Sequence, residues 1–232
     1  MKRLIVIGCL LMGLAAVLPA SAINIIDFDV TPGGAGSISY AGGANPLTGS
    51  GITPTTITGL GTPDNPGVTL ACVSCSFNFA TGNFTSSTAS NWNFAGGGSF
   101  TLTGAVPTLS LAPGTLLMSG TFTGATVSGG GTTLLVDIST FIDTKNPVLS
   151  AFYEGTPVPP SWSGGTNVGF DLAAPATPPG AFSSAIVTSG DIQNSPVPEP
   201  ASLFLMGSGL LALGIVLRKK LLRPASEHTA HA

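Results

Sequence analysis

GGGSFTLTGAVPTLSLAPGTLLMSGTFTGATVSGGGTTLLVDIS, residues 96–139, is the stretch on which the fold turns. Side chains alternate faces along a strand, so period two is the sign to look for. Phe100 and Leu102 alternate with Ser99, Thr101 and Thr103. Leu116, Met118 and Phe122 fall in phase across SGTF, and Leu134, Val136 and Ile138 face away from Asp137 and Ser139. Glycine-rich turns separate the runs, as at Ser128-Gly129-Gly130-Gly131. Glycine serves such places because it tolerates positive φ.

The same grammar extends outward in both directions. Ile26, Phe28 and Val30 share a face, with Asp27 and Asp29 on the other. Further strands are expected at 68–71, 76–79, 91–94, 148–153, 166–172 and 181–187. Turns are expected at Pro32-Gly33-Gly34, Asp64-Asn65-Pro66-Gly67 and Lys145-Asn146-Pro147. Residues 155–165 and 173–180 read as irregular loops. No segment of this domain shows a sustained helical period with caps. Many short strands with dense turns predict an all-β fold, a single β-sandwich of the jelly-roll or immunoglobulin-like sort. A β-solenoid is the alternative. GGSFTLTG (97–104) and SGTFTGATVSGG (119–130) echo each other, but no fixed period continues, so the solenoid ranks lower.

Charge narrows the function classes. Between Ile23 and Val197 the acids are Asp27, Asp29, Asp64, Asp137, Asp143, Glu154, Asp171 and Asp191, and the only base is Lys145. Such a domain cannot neutralise phosphates, so no nucleic acid is expected as a partner. Both histidines, His228 and His231, lie in the tail. Catalytic sites that need His, and zinc sites built from His and Cys, are therefore not expected here. No enzyme activity and no cofactor are expected. The apolar content argues against disorder.

Several residues carry sharper readings. Cys72-Val73-Ser74-Cys75 can close a disulfide if Val73-Ser74 makes a turn; a redox pair and two free thiols are the alternatives. Trp92, Trp162 and Tyr153 are aromatic candidates for sugar contact, with Trp92 and Trp162 foremost; the plainer reading packs them in the core. Asp27 and Asp29 share a strand face and suit either Ca²⁺ or a paired-carboxylate hydrolase, against a solvated outer face. Asp137 and Asp143 are likewise expected to be solvated. The Thr-x-Thr pairs at Thr56/Thr58, Thr101/Thr103 and Thr121/Thr123 lack the regular repeat an ice-binding face needs. Asn83-Phe84-Thr85 matches a glycosylation sequon only by pattern.

The two ends read as addresses. Met1-Lys2-Arg3, an apolar run and Ala20-Ser21-Ala22 make a secretory signal peptide over residues 1–22, cut after Ala22 by signal peptidase. A lipoprotein site at Cys9 is disfavoured, because the apolar run before it is too short. The exported domain is expected over 23–188, followed by a linker over 189–197. Then come Pro198-Glu199-Pro200, an uncharged span over 201–217 and the cluster Arg218, Lys219, Lys220 and Arg223. As a helix the span measures about 26 Å, just short of a typical hydrocarbon core. The basic cluster holds its far end, with the tail 224–232, in the cytoplasm.

This order, from Val197-Pro198-Glu199-Pro200 through the apolar span to the basic cluster, resembles a PEP-CTERM sorting signal over 198–223. An ordinary C-terminal membrane anchor is the plainer alternative, and the tail after Arg223 is longer than such signals usually have. The resemblance implies an exosortase-like processing enzyme as a partner and transient residence in the inner membrane, with the domain in the periplasm. Release to the cell surface or an extracellular polysaccharide matrix follows, with exopolysaccharide as a further partner. The pieces at 32–52, 79–84 and 96–104 also resemble uncharacterised exported domains that travel with this signal, and that likeness implies no activity. The expected function is therefore a non-enzymatic surface or matrix component. A carbohydrate-binding module is the alternative, and a hydrolase with paired carboxylates the weaker one.

Overall fold

The computed structural model describes residues 26–156, 159, 161–197 and 208–209. Residues Ala22–Val197 form one compact unit. Its strands are β1 (Ile26–Val30), β2 (Ser37–Tyr40), β3 (Pro46–Ile52), β4 (Thr56–Gly59), β5 (Thr69–Ala71), β6 (Val73–Ser87) and β7 (Asn91–Ala95). They continue as β8 (Ser99–Val106), β9 (Leu111–Phe122), β10 (Gly124–Gly130), β11 (Thr133–Lys145), β12 (Trp162–Leu172) and β13 (Phe182–Pro196). One helix, α1 (Pro147–Glu154), lies between β11 and β12.

The all-β expectation holds, and every ladder among the described strands is antiparallel. The strands hydrogen-bond as one 13-stranded sheet rather than as two separate sheets. Its pairing closes on itself, from β6 through β7, β10, β11, β12, β13, β2 and β3 back to β6. Two long strands make this closure workable. The first half of β6 pairs with β8 and its second half with β7. The first half of β11 pairs with β10 and its last residues with β9. β1, β4 and β5 extend from β13 as a three-strand flap.

Burial follows the alternation that the sequence displays. Ile26, Phe28 and Val30 are inside, as are Phe100, Leu102, Leu134, Val136 and Ile138. Phe100 stands at the centre of an aromatic group, 4.8 Å from the ring centroid of Phe141 and 5.0 Å from that of Phe122. Tyr40, Phe84, Phe94 and Phe182 form a second group. Each fully buried ring contributes about 2–3 kcal/mol of hydrophobic stabilisation.

Five expectations need correction. Residues 148–153, expected as strand, lie in α1. Asn146 caps this helix, its side-chain oxygen accepting from the Val148 N–H at 3.0 Å, and Pro147 occupies the first turn. Asn-Pro here is a helix start rather than a turn. Residues 189–196, expected as linker, are the second half of β13, paired with β1 on one side and β12 on the other. The loop expected at 155–165 ends early, because β12 begins at Trp162. Leu116 is 48 % exposed while Leu117 and Met118 are buried, since the β8–β9 register shifts between Leu102 and Thr103 and breaks the alternation.

Candidate functional site

The outer face of the sheet carries a continuous polar row. Thr56, Asp29, Asp191, Asn167, Asp137, Thr126, Asn93 and Ser86 stand directly opposite one another on successive strands, from β4 to β6. At ordinary strand spacing the row is roughly 30 Å long. Its neutral end is stitched together: Thr126 donates to Asn93 Oδ1 at 3.2 Å, and Asn93 donates to Ser86 at 3.2 Å. Its acidic end is not neutralised, since Asp29 faces Asp191 and like charges opposite each other destabilise a sheet. Asp27 stands beside this pair, facing Gln193. Burial first, then the charges of Asp191 and Asp29, push its carboxyl up to about 6, against a hydrogen bond from Gln193. A depression of about 610 Å³ opens over the middle of the row, lined in part by Asp137, Thr166, Asn167, Asp191 and Gln193. Among the described residues, no group of three or more His, Cys, Asp or Glu side chains is arranged to hold a metal ion.

The aromatic candidates lie elsewhere. Trp92 and Trp162 are 0 % and 1 % exposed, so neither offers a face on which a sugar ring could stack. Trp92 Nε1 donates to the Gly180 carbonyl at 3.0 Å. Tyr153 is also buried, its hydroxyl proton shared between the carbonyls of Ile57 at 2.8 Å and Val68 at 3.1 Å. These rings serve the core because each sits on the inward phase of its strand or helix.

Cys72 and Cys75 are joined, with Cα atoms 5.6 Å apart. Ser74 between them takes a left-handed φ of 50°, and the β6–β8 register shifts between Val73 and Ser76. Asp143, expected on the solvated face, is buried instead. A register shift between Ile138 and Phe141 resets the alternation of β11 and turns Asp143 and Lys145 inward, where the two form an ion pair. Burial raises the Asp143 carboxyl despite that ion pair, and burial lowers Lys145 to about 8.

The end of the unit leads directly into the C-terminal segment. β13 lies between β12 and β1, its Asn194 and Ser195 are buried, and Val197 N donates to the Ser161 carbonyl at 3.1 Å. Residues 196–220 match the family model of the PEP-CTERM protein-sorting motif. The chain carries a PEP-CTERM sorting signal. No curated protein and no solved structure matches the chain.

The sorting signal thus begins at the last residue of a central strand. Its defining residues Pro198, Glu199 and Pro200, nearly all of the 201–217 span and the cluster Arg218, Lys219, Lys220 and Arg223 lie outside the described residues, as do Ala20 and Ala22 at the expected signal-peptide cut. Among the described residues no helix is long and apolar enough to cross a membrane. The polar row was hard to foresee, because it depends on register across eight strands. Only its Thr56, Asp29 and Asp137 members stand out in the sequence.

Proposed function

We propose that this is a non-enzymatic exported protein, delivered through its PEP-CTERM signal to the cell surface or extracellular matrix, where the β-domain is a structural component. The match at residues 196–220 carries this reading, since that motif implies processing by an exosortase. The domain supports it by its economy of chemistry: no His, no Arg and one buried Lys between Ile23 and Val197. The test replaces Pro198-Glu199-Pro200 with alanines and follows the chain through cell fractions. The altered chain should stay in the membrane fraction with its tail attached, while the unaltered one is shortened and released. Equal processing and release of both would sink the sorting reading.

A second reading, carbohydrate binding, moves from the buried tryptophans to the polar row. Carboxylates and amides at strand spacing can accept and donate to successive sugar hydroxyls. The depression over Asn167, Asp191 and Gln193 favours it. Titration of the purified chain with its own organism's exopolysaccharide tests this. Loss of binding in an Asp191→Ala, Asn167→Ala chain supports the reading, and unchanged or absent binding removes it.

A further inference from the structure

Lys145, Asp143 and Asn194 meet inside the sheet. The Lys145 ammonium pairs with Asp143 Oδ2, and both side chains are 0 % exposed. On the other side, Asn194 Nδ2 donates to Asp143 Oδ1 at 3.4 Å, and Asn194 is itself 0 % exposed. One carboxylate therefore bridges the amine and the amide. Trp162 and Met118 wall in the amine, the ring centroid 4.6 Å and the sulfur 3.5 Å from Nζ. Asn194 Oδ1 has no hydrogen-bond partner among the described residues.

The strands are arranged so that this meeting can happen. Asp143 lies on β11 and Asn194 on β13, with β12 between them. Asn194 reaches toward Asp143 over Gly164, the β12 residue directly opposite it. A Cβ at Gly164 would overlap the Gln193 carbonyl and fall 2.6 Å from Asn194 Nδ2. The absent side chain is thus the space that the amide uses. A buried ion pair is a poor stabiliser compared with apolar packing, so stability alone does not account for placing the domain's only base here.

We propose that Lys145 and Asn194 are joined by an intramolecular isopeptide bond, formed within the folded domain with Asp143 as its acid–base catalyst. The reaction begins when Lys145 passes a proton to Asp143, giving a neutral amine beside a neutral carboxyl. Burial favours that redistribution, since it lowers the lysine and raises the aspartate. The Nζ lone pair attacks Asn194 Cγ, forming the new C–N bond and a tetrahedral centre. Asp143 takes a proton from Nζ and delivers one to Nδ2. The Cγ–Nδ2 bond then breaks and ammonia leaves. The products are one secondary amide and one ammonia, Asp143 keeps the proton that Lys145 gave it in the first step, and no oxidant or reductant is consumed. The enclosure gathers the amine and the amide around one carboxylate and keeps competing water out. The bond would tie β11 to β13 across β12. It goes beyond the sorting reading and does not depend on it.

The sequence supplies a clean assay. Lys145 is the only Lys or Arg between Ile23 and Leu217, so it is the only place where trypsin can cut this region. Trypsin does not cut after an acylated lysine. The protein, purified from its exporting host, is denatured, reduced and digested. The tryptic fragment that spans residue 145 should stay uncut there and weigh about 17 Da less than the sequence between its own ends requires, the mass of one ammonia. A chymotryptic digest should yield a branched peptide containing Lys145 and Asn194. The Asn194→Ala chain should be cut completely after Lys145 at full mass, as should Asp143→Asn. Complete cleavage of the unaltered chain at unreduced mass would overturn the proposal, whatever the variants do. A cross-link in an Asp143→Asn chain would overturn the role given to Asp143.

Discussion

Tyr153 on α1 donates its phenolic proton to the carbonyl of Ile57 on β4, 2.8 Å away and 96 residues earlier in the chain. The same proton is shared with Val68 O at 3.1 Å. Asn65 Nδ2 reinforces the docking by donating to the Phe152 carbonyl at 2.6 Å. The helix therefore pins the β4–β5 flap, whose strand pairing with the rest of the sheet is only through β1. Tyr153→Phe keeps the ring and orphans the carbonyls. It should cost about 1–2 kcal/mol in urea unfolding, seen as a lower midpoint with little change in slope.

Asp27 makes stability depend on pH. Its folded value of about 6 lies above the ordinary 3.8, so the folded state holds the proton more tightly than the unfolded one. The contribution is fully present below about pH 4 and is lost as pH rises through 6. Asp27→Asn should flatten that part of the profile. Because Asp27 is only half-buried, solvent screening limits the gain near pH 7.5 to about 1 kcal/mol. Thermal melts from pH 4 to 8 check this, and an unchanged slope in the variant would count against it.

Trp92 is a core residue, and its variants should behave so. Trp92→Ala removes a fully buried ring and its bond to Gly180, at a cost of about 3–5 kcal/mol. Binding of any glycan per folded molecule should be unchanged. A loss of binding without a loss of stability would restore the sugar-contact role.

The Cys72–Cys75 link closes a loop of sequence separation 3, so it restrains little of the unfolded chain. Replacing both cysteines with serine should cost about 2 kcal/mol at most. Melting of the oxidised and reduced chains side by side measures it.

The strands around Phe28, Phe100 and Val136 were legible because each alternates cleanly for several residues. Legibility failed where one residue shifted the phase. The register break before Phe141 turned Asp143 inward, and the break near Leu102 exposed Leu116. Neither leaves a local sign, since the extra residue on β11 or β9 is defined only by how the partner strand pairs. The second half of β13 is hidden in the sequence because Gly190, Asp191, Gln193 and Asn194 look like a loop. Only tertiary pairing makes Asn194 a core residue. Asn146-Pro147 ahead of an apolar run signals the helix, but in sequence the same pair fits a turn equally well. The sorting signal was legible because it is a linear arrangement that needs no register.

A sheet whose pairing returns to its starting strand leaves few open rows of amides for a neighbour to join. Among the described strands only β5 pairs with a single neighbour, β4; it spans Thr69–Ala71 and is followed at once by the bonded Cys72. A run that short is a poor template for strand addition. Copies of this domain therefore offer one another little backbone edge to add to, so crowding them together favours contacts through side chains over strand-by-strand growth.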